Sequence, residues 1–431
     1  MQWFESKGHL EVEKNQLHIA GLSAVELAKE FGTPLYVYNG KRIVENFQEM
    51  QNAFQAFADR PFSIHYAMKA NPHVEVLKLL KSQRAKIDAT SVNEVKIALK
   101  AGFSEDEILF TGTSVSNSDL TELKSLGVLV NVDSFSQLKR LKKLGSRHSK
   151  ISIRWNPGKG EELHIHDHVI TAGKYVKFGI PESKVLEAFQ TAKELGFTVS
   201  GLHQHIGSGW LGKDVKTFLQ TVDKTLAMAK KGEKILGYPL EFIDFGGGPG
   251  IPYTPKQEKF PMREYANGIC SKLKKSGLKA EIKLEPGRFL VGDAGILLVE
   301  VNTVEQKNIP VVGVNAGFNT LVRPAFYGAH HEIVLANQVE GKTKPMMIAG
   351  NLCESGDVFT EGKNVLRKIP SPKEGDILAV LCAGAYGYAM ASTYNSQSRP
   401  REVLILNGNA RLISEKESVD DLLQMQKMVE D

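Results

Sequence analysis

Apolar residues at Ile43, Phe47, Met50, Phe54 and Phe57 step by four, three, four and three, which lays one apolar stripe along a helix over 42–57. Short apolar stretches follow near 62–67, 86–89, 107–110, 128–132, 150–155, 198–204, 240–245 and 280–285. Between most of them lies a helical segment such as VNEVKIALKAG or SFSQLKRLKKLG, and its closing glycine suits a C-cap. Two gaps, 156–180 and 246–261, carry extra loop before the next helix. Strand–helix alternation repeated over roughly 250 residues predicts a (β/α)8 barrel. A doubly wound open sheet has the same periodicity. What decides between them is the strand ends, which read AMK, DATS, FTGTS, NVDS, RWNPG, HQHIGS, DFGGG and EPGR. Polar, glycine-rich and ionisable residues gather at nearly every one, and in a barrel those ends meet on one face, where active sites are built.

After about residue 290 the pattern changes. AGILLVEVNTVEQ, PVVGVNAG, KPMMIAG, GDILAVLCAGAY and PREVLILNG are strand-like with little helix between them, which predicts a β domain. The leading HLEVEKNQLHIAG is also strand-like and is assigned to that domain. The expected organisation is a barrel over 38–288 and a β domain built from 1–37 and 289–431. ESVDDLLQMQKMVE, near the C-terminus, reads as a helix.

Composition narrows the function. Lys plus Arg exceed Asp plus Glu by 54 − 49 = 5, and no dense basic run is interleaved with aromatics, so nucleic acid is not an expected partner. Cys270, Cys353 and Cys382 are far apart and form no CxxC pair, which argues against a zinc ribbon or a redox dithiol and predicts no metal site. Sparse cysteine suggests a reducing compartment. MQWFESKGHL lacks a basic region followed by an apolar core, and no apolar run approaches ~20 residues. No membrane association is expected, and the cytoplasm is the expected location.

The stretch SIHYAMKANP ends a strand pattern on Lys69, set between small or flexible neighbours. Such a lysine is ordinarily snorkelled or ion-paired. Aimed into a barrel mouth, with Ala70 leaving room, it suits a Schiff base with a flat aldehyde cofactor such as pyridoxal phosphate (PLP). That cofactor also needs a phosphate cradle, a partner for its ring and a partner for its pyridine nitrogen. DFGGGPG offers Gly246, Gly247 and Gly248 after a strand, and HIGSG adds Ser208. His205 could lie flat against a ring, where the ordinary alternative is a satisfied core histidine. Glu285 in LEPGR could keep a pyridine nitrogen protonated, and Arg288 can grip an oxyanion with two prongs. In the second domain Arg323 and Tyr327 are oxyanion partners. Cys353 and Glu354 stand between Asn351 and Gly356 in a polar loop, a setting for a proton donor more than for buried filler.

The ordered set YAMKANP, GLHQHIGSG, DFGGGPGIPY, EPGRFLVGDAG, LVRPAFYGAHH, CESGD and GAYGYAMASTYN resembles the diaminopimelate decarboxylase family, a branch of the barrel-type PLP decarboxylases. Its ornithine and biosynthetic arginine relatives share YAMKAN and EPGR; CESGD and RPAFYGAHH are narrower. The resemblance implies that Lys69 carries PLP and that His205 stacks on the ring. It implies that Glu285 pairs with the pyridine nitrogen. Ser208, Gly247, Gly248, Pro286, Gly287 and Arg288 would hold the phosphate, and Tyr386 would touch cofactor and substrate. Arg288, Arg323, Tyr327 and Glu354 would bind substrate, with Cys353 as the acid that protonates the product carbanion. It further implies a homodimer with active sites at the interface, and decarboxylation of meso-2,6-diaminopimelate to L-lysine and CO2. The distal end of that substrate carries a carboxylate for Arg323, with Arg288 as a second candidate, and an ammonium for Glu354. Four positions depart from the family pattern: Asn315, Ala172, Trp210 and Phe289. Trp210 and Phe289 are expected to reshape the pocket. They leave room for a sister decarboxylase acting on another amino acid. A non-catalytic PLP-binding regulator is the remaining alternative, disfavoured by the presence of Lys69 and Cys353.

Overall fold

A computed structural model describes residues 2–145, 150–362 and 364–427. The chain divides into two compact units, one of Val44–Pro252 and Glu258–Leu290, the other of Met1–Ile43, Tyr253–Gln257 and Val291–Asp431.

Among the described residues of the first unit, eight parallel strands close on themselves: Phe62–Ala67, Lys86–Ala89, Ile108–Phe110, Leu129–Val132, Lys150–Asn156, Thr198–His203, Phe242–Asp244 and Glu281–Leu284. Closure comes from the register Ile282↔Phe62, Lys283↔Ser63 and Leu284↔Ile64 between the last strand and the first. This is the (β/α)8 barrel expected from the alternation. A two-residue strand, Ile180–Pro181, flanks the fifth strand and ends the long loop after it.

The strand ends have two uses. Ser91, Ser116 and Ser134 each accept a backbone N–H from the first turn of the following helix. The hydroxyls of DATS, TSVS and VDS are thus largely helix caps. The helix ends follow their glycines: Gly127, Gly237 and Gly277 all sit in left-handed conformations at helix C-termini.

Alternation along the barrel strands separates two faces. Ile64, Tyr66, Ile87, Ile153, Leu202, Ile243 and Ile282 are buried on one. The register Ala67↔Asp88, His203↔Arg154, His203↔Asp244 and Asp244↔Lys283 puts ionisable residues together on the other. Barrel interiors are ordinarily filled by branched apolar side chains. Here His65, Asp88, Arg154, His203, Asp244 and Lys283 are all buried.

The second unit is strand-rich. Leu10–Glu13, Gln16–Ile19 and Leu22–Ser23 form a small antiparallel sheet. The main sheet is built on Gly295–Gln306, which pairs with Pro310–Val314, Ile377–Val380 and Leu35–Asn39. Leu35–Asn39 also pairs with Arg401–Leu406, so Tyr38 and Asn39 belong to this sheet, and the unit extends to Ile43. Tyr36, Leu297, Val299, Val312, Ile348, Leu378 and Val380 form its core. The C-terminal helix is shorter than its sequence suggests, Val419–Leu423. Val419, Leu423 and Met425 are 68%, 40% and 90% exposed, so no buried stripe supports a longer one; residues 428–431 lie outside the described residues.

Gly201 in the sixth strand is required by its neighbour. A Cβ there would lie 2.3 Å from the Phe242 ring. Gly201→Ala should cost about 1–3 kcal/mol of stability through overpacking, read from the denaturant midpoint. Phe242→Leu should recover part of that loss; an equal loss in both backgrounds would exclude the ring as the obstacle.

Candidate active site

The barrel strands end in loops that converge on a few groups. Lys69 lies in the single turn Met68–Ala70 at the end of the first strand. That turn is tied to the end of the eighth strand by Ala67 N–H donating to Pro286 O at 3.0 Å. A Cβ on Gly287 would come within 3.2 Å of Ala70 Cβ, so the EPGR turn packs tightly against the Lys69 turn. Lys69 Nζ is 3.4 Å from Asp88 Oδ2, and the lysine side chain is 37% exposed against 1% for the aspartate. The lysine side chain is therefore partly open while its counter-charge is sealed.

Glu285 is buried one residue beyond the eighth strand. Its Oε2 lies 2.9 Å from His203 Nε2, and Thr111 donates to Oε1 at 3.4 Å. Asn131 in turn donates to Thr111 Oγ1 at 2.8 Å. His203, Asp244 and Glu285 bring ligating atoms within 4.8 Å of one another, all three buried. Burial disfavours every charged form here. Burial, reinforced by the charge of Asp88, pushes Glu285 up to about 8. Burial and the Glu285 charge hold Asp244 well above the carboxylate range, and burial takes His203 down to about 4. Arg154, also buried, is lowered by burial and pulled back by the charges of Glu285 and Asp133. The result is a carboxyl poised to hold or share a proton near neutral pH.

Two glycine-rich loops are knitted beside it. Gly209 N–H donates to Gly248 O at 2.9 Å, and Gly250 N–H to Trp210 O at 2.8 Å. Trp210 Nε1 donates to Gly207 O at 3.1 Å while its ring stacks on Phe218 at 4.8 Å. A Cβ on Gly247 would be 2.1 Å from Glu285 O, and one on Gly248 would be 1.9 Å from Trp210 Nε1. Gly248 also has φ +124°, a conformation that L side chains rarely adopt. Arg288 is buried, its Nε 3.4 Å from the Cβ position of Gly209. Ser208 and His205 are half-buried on the same loop.

The four sequence departures have structural roles. Trp210 is fully buried against Phe218, Phe260 and Tyr265, and Phe289 is buried beside Phe260. Both belong to the wall that braces the loops; the expectation that they reshape the pocket gives way to this packing. Asn315 accepts from Glu300 N–H and donates to Thr33 Oγ1 at 2.8 Å, a donation a carboxylate cannot make. Ala172 is buried.

The β unit carries the remaining candidates on its own elements. Arg323 opens the short helix Arg323–Tyr327 and is buried. Its Nη1 donates to His331 Nε2 at 2.8 Å and to Tyr253 Oη at 3.2 Å. His331 Nδ1 is 2.8 Å from Leu381 O, which only accepts. The ring is therefore neutral, with its proton on Nδ1, and Nε2 is left to receive the arginine. Tyr327 and Tyr386 are half-buried, the latter at φ +57°. Cys353 and Glu354 are exposed in a loop anchored by Asp357, which accepts from Phe318 and Leu352 N–H at 2.7 and 2.8 Å. Asn395 accepts from Cys353 N–H at 2.8 Å.

Sequence reasoning passed over Asp88, Arg154, His203 and Asp244, which surround Glu285 electrostatically. Their signal is the register: each stands on the same strand face as a neighbour's ionisable residue.

The barrel residues fit PLP. An amine lies 3.4 Å from a sealed carboxylate, on a side chain that is itself partly open. Glycine turns packed against Glu285 and Trp210 lie in the adjoining loops. Asp88 Oδ1, His203 Nδ1 and Asp244 Oδ2 are buried with no hydrogen-bond partner among the described residues, so the polar cluster is not saturated by the protein. The family profile described as pyridoxal-dependent decarboxylase, pyridoxal binding domain, matches residues 40–292. The chain belongs to this class of barrel enzymes, whose cofactor is PLP. A diaminopimelate decarboxylase of Methanothermobacter thermautotrophicus is 43% identical over 96% of both chains, and one of Archaeoglobus fulgidus 35% identical over 96% of this chain and 97% of its own. The solved structure of a diaminopimelate decarboxylase "from m. jannaschii in co-complex with L-lysine" superposes with TM-score 0.89, 30% identity and 98% coverage of both chains. A Vibrio vulnificus lysine/ornithine decarboxylase, 21% identical, shares the fold at TM-score 0.76 over 89% of this chain and 98% of its own. Within its class, the chain is a member of the diaminopimelate decarboxylase family.

Because the folded-state pKa of Glu285 lies above that of the unfolded chain, the stability tied to its proton is complete below the unfolded carboxyl range and is lost as pH rises through about 8. In cofactor-free protein, the melting temperature of Glu285→Gln relative to wild type should therefore become more favourable between pH 6 and pH 9. A difference that stays flat or reverses would show that the carboxyl titrates in the ordinary range.

Proposed function

We propose that the protein decarboxylates meso-2,6-diaminopimelate to L-lysine and CO2, with Lys69, Glu285 and Cys353 in the central roles. The observation that carries the choice of substrate is Arg323, a buried guanidinium held in a fixed direction by a neutral histidine and a tyrosine. Such a group suits a substrate with a second carboxylate. Ornithine would leave it buried without its anion, a loss of several kcal/mol. L-Lysine, the product expected of this reaction, is bound in the related structures from Helicobacter pylori and M. jannaschii.

PLP, when bound, supplies an electron sink for the pair left at Cα by the departing carboxylate. Lys69 Nζ would hold the cofactor covalently. Glu285 keeps a proton available to the pyridine nitrogen, which its raised pKa suits. His205 would lie against the ring, while Ser208, Gly247, Gly248, Pro286, Gly287 and Arg288 would hold the phosphate. Arg323 and Arg288 bind carboxylate, Glu354 takes the distal ammonium, and Tyr327 and Tyr386 orient the chain between. Cys353 Sγ delivers a proton to Cα.

The active unit is a homodimer in which Cys353 and Glu354 serve the partner's barrel. Supporting this, both lie exposed on the β unit, as does Phe326 at 55% exposure. No disulfide joins Cys270, Cys353 or Cys382, which fits a reducing cytoplasm. No described helix is long and apolar enough to cross a membrane.

With CO2 release measured on diaminopimelate, lysine, ornithine, arginine and glutamate, turnover should be confined to diaminopimelate. Arg323→Ala should lower kcat/KM by roughly a hundredfold or more while retaining bound PLP. Near-intact activity would exclude Arg323 from distal carboxylate binding. Activity on ornithine alone would overturn the substrate. Sharing of sites has its own test: mixed and reassociated Lys69→Ala and Cys353→Ala subunits should regain about a quarter of wild-type activity, since half the dimers are hybrids with one intact site. No recovery despite proven subunit exchange would confine each site to one chain.

A further inference from the structure

The long loop after the fifth strand reaches His205 in a way the reaction scheme does not use. Residues 169–171 run antiparallel to 206–208. Ile170 bridges Gly207, Ser208 N–H donates to Val169 O at 3.1 Å, and Thr171 N–H donates to Ile206 O at 3.3 Å. Gly160 permits the approach, since a Cβ there would lie 2.3 Å from Ala172 O and 2.4 Å from Ile206 O. Pinned in this way, Thr171 Oγ1 stands 2.8 Å from His205 Nδ1 and 3.0 Å from His205 O.

The tautomer follows from a third contact. Gly207 N–H points at Nδ1 from 3.2 Å, and a backbone amide can only donate. Nδ1 is therefore bare. A hydrogen on Nδ1 could be satisfied by the threonine oxygen alone, but it would oppose the glycine amide. The threonine hydroxyl thus directs its hydrogen to Nδ1, shared with the nearby carbonyl, and the ring proton sits on Nε2. That nitrogen faces the glycine turn, 3.6 Å from the Cβ position of Gly247. Burial and the positive charges of Lys69 and Arg154, with His203 close by, also favour a neutral ring.

We propose that Thr171 is a positioning residue for the cofactor site: its hydroxyl locks His205 as the Nε2–H tautomer and fixes the plane of the ring that PLP meets. This rests on the reading of His205 as a cofactor-stacking residue. Ala172, the next residue, carries no hydroxyl, and the one facing His205 is that of Thr171.

The holoenzyme, labelled with 15N-histidine, tests it. His205, assigned by its loss in His205→Gln, should show a bare Nδ1 and a protonated Nε2. Thr171→Val keeps the shape and removes the hydroxyl. It should give a mixture of tautomers and weaken PLP binding about 3- to 10-fold, the worth of one partly buried hydrogen bond. Thr171→Ser should restore both signals. A wild-type-like tautomer and PLP affinity in Thr171→Val would overturn the assignment, as would a wild-type ring protonated on Nδ1. Failure of wild-type protein to bind PLP at all would instead remove the cofactor reading on which it depends. A merely structural effect would lower the melting temperature of the valine variant while leaving the tautomer unchanged, and that result also counts against the proposal.

Discussion

The barrel depends on a carboxyl that water cannot reach. Glu285 and Asp244 are both buried, close to His203 and under the influence of Asp88 and Arg154. Five ionisable groups in so small a volume cannot all carry charge, because the desolvation of each is repaid only by a well-placed opposite. The arrangement that minimises charge keeps His203 neutral and favours protons on Asp244 and Glu285. Arg154 is the buried cation that balances what remains. Filling the interior with branched apolar residues would be easier for folding, as in most barrels. The polar interior is intelligible as support for a carboxyl whose proton is held loosely enough to be shared.

Backbone close approach does the rest of the building. The loops after the sixth and seventh strands are stitched by main-chain hydrogen bonds and backed by Trp210, whose indole N–H fixes one loop while its ring packs on Phe218. The glycines there are demanded individually. At Gly247 the obstacle is the carbonyl of Glu285, and at Gly248 it is Trp210 itself. The glycine loops and the carboxyl are in this way one construction, since Gly247 packs on the Glu285 carbonyl and Glu285 N–H donates to Gly246 O.

Much of the fold was legible because each strand is short, apolar and bounded by an unambiguous polar end. The eight strands and the change of character near residue 290 needed nothing more. What the strand ends do was less legible. Ser91 and Asp88 sit three residues apart in the same motif, yet one caps a helix and the other faces Lys69. A hydroxyl and a carboxylate at a strand end look equally available until the helix start is known. Asp244 and His203 were hidden differently: each precedes a conspicuous motif, and only strand register shows that they share a face with Glu285. Trp210 misled in the opposite sense. A large aromatic beside a glycine loop reads as pocket lining, whereas its burial makes it scaffold. The C-terminal helix was overextended because its apolar residues have helical spacing but no partner surface.

The two units solve one problem in the same way. His331 in the β unit and His205 in the barrel each have one nitrogen fixed by a group whose role cannot be reversed, a carbonyl in the first case and an amide N–H in the second. The opposite nitrogen is then committed, to accept from Arg323 in one and to carry the proton in the other. A neutral imidazole costs far less to bury than a charged group, and it transmits direction across about 2 Å of rigid ring. A carboxylate could aim an arginine just as well, but it would neutralise the charge that a substrate carboxylate needs. Holding Arg323 with an uncharged acceptor keeps its full positive charge available, which is why the histidine, and not an acid, is the fitting partner for a cation proposed to receive a substrate carboxylate.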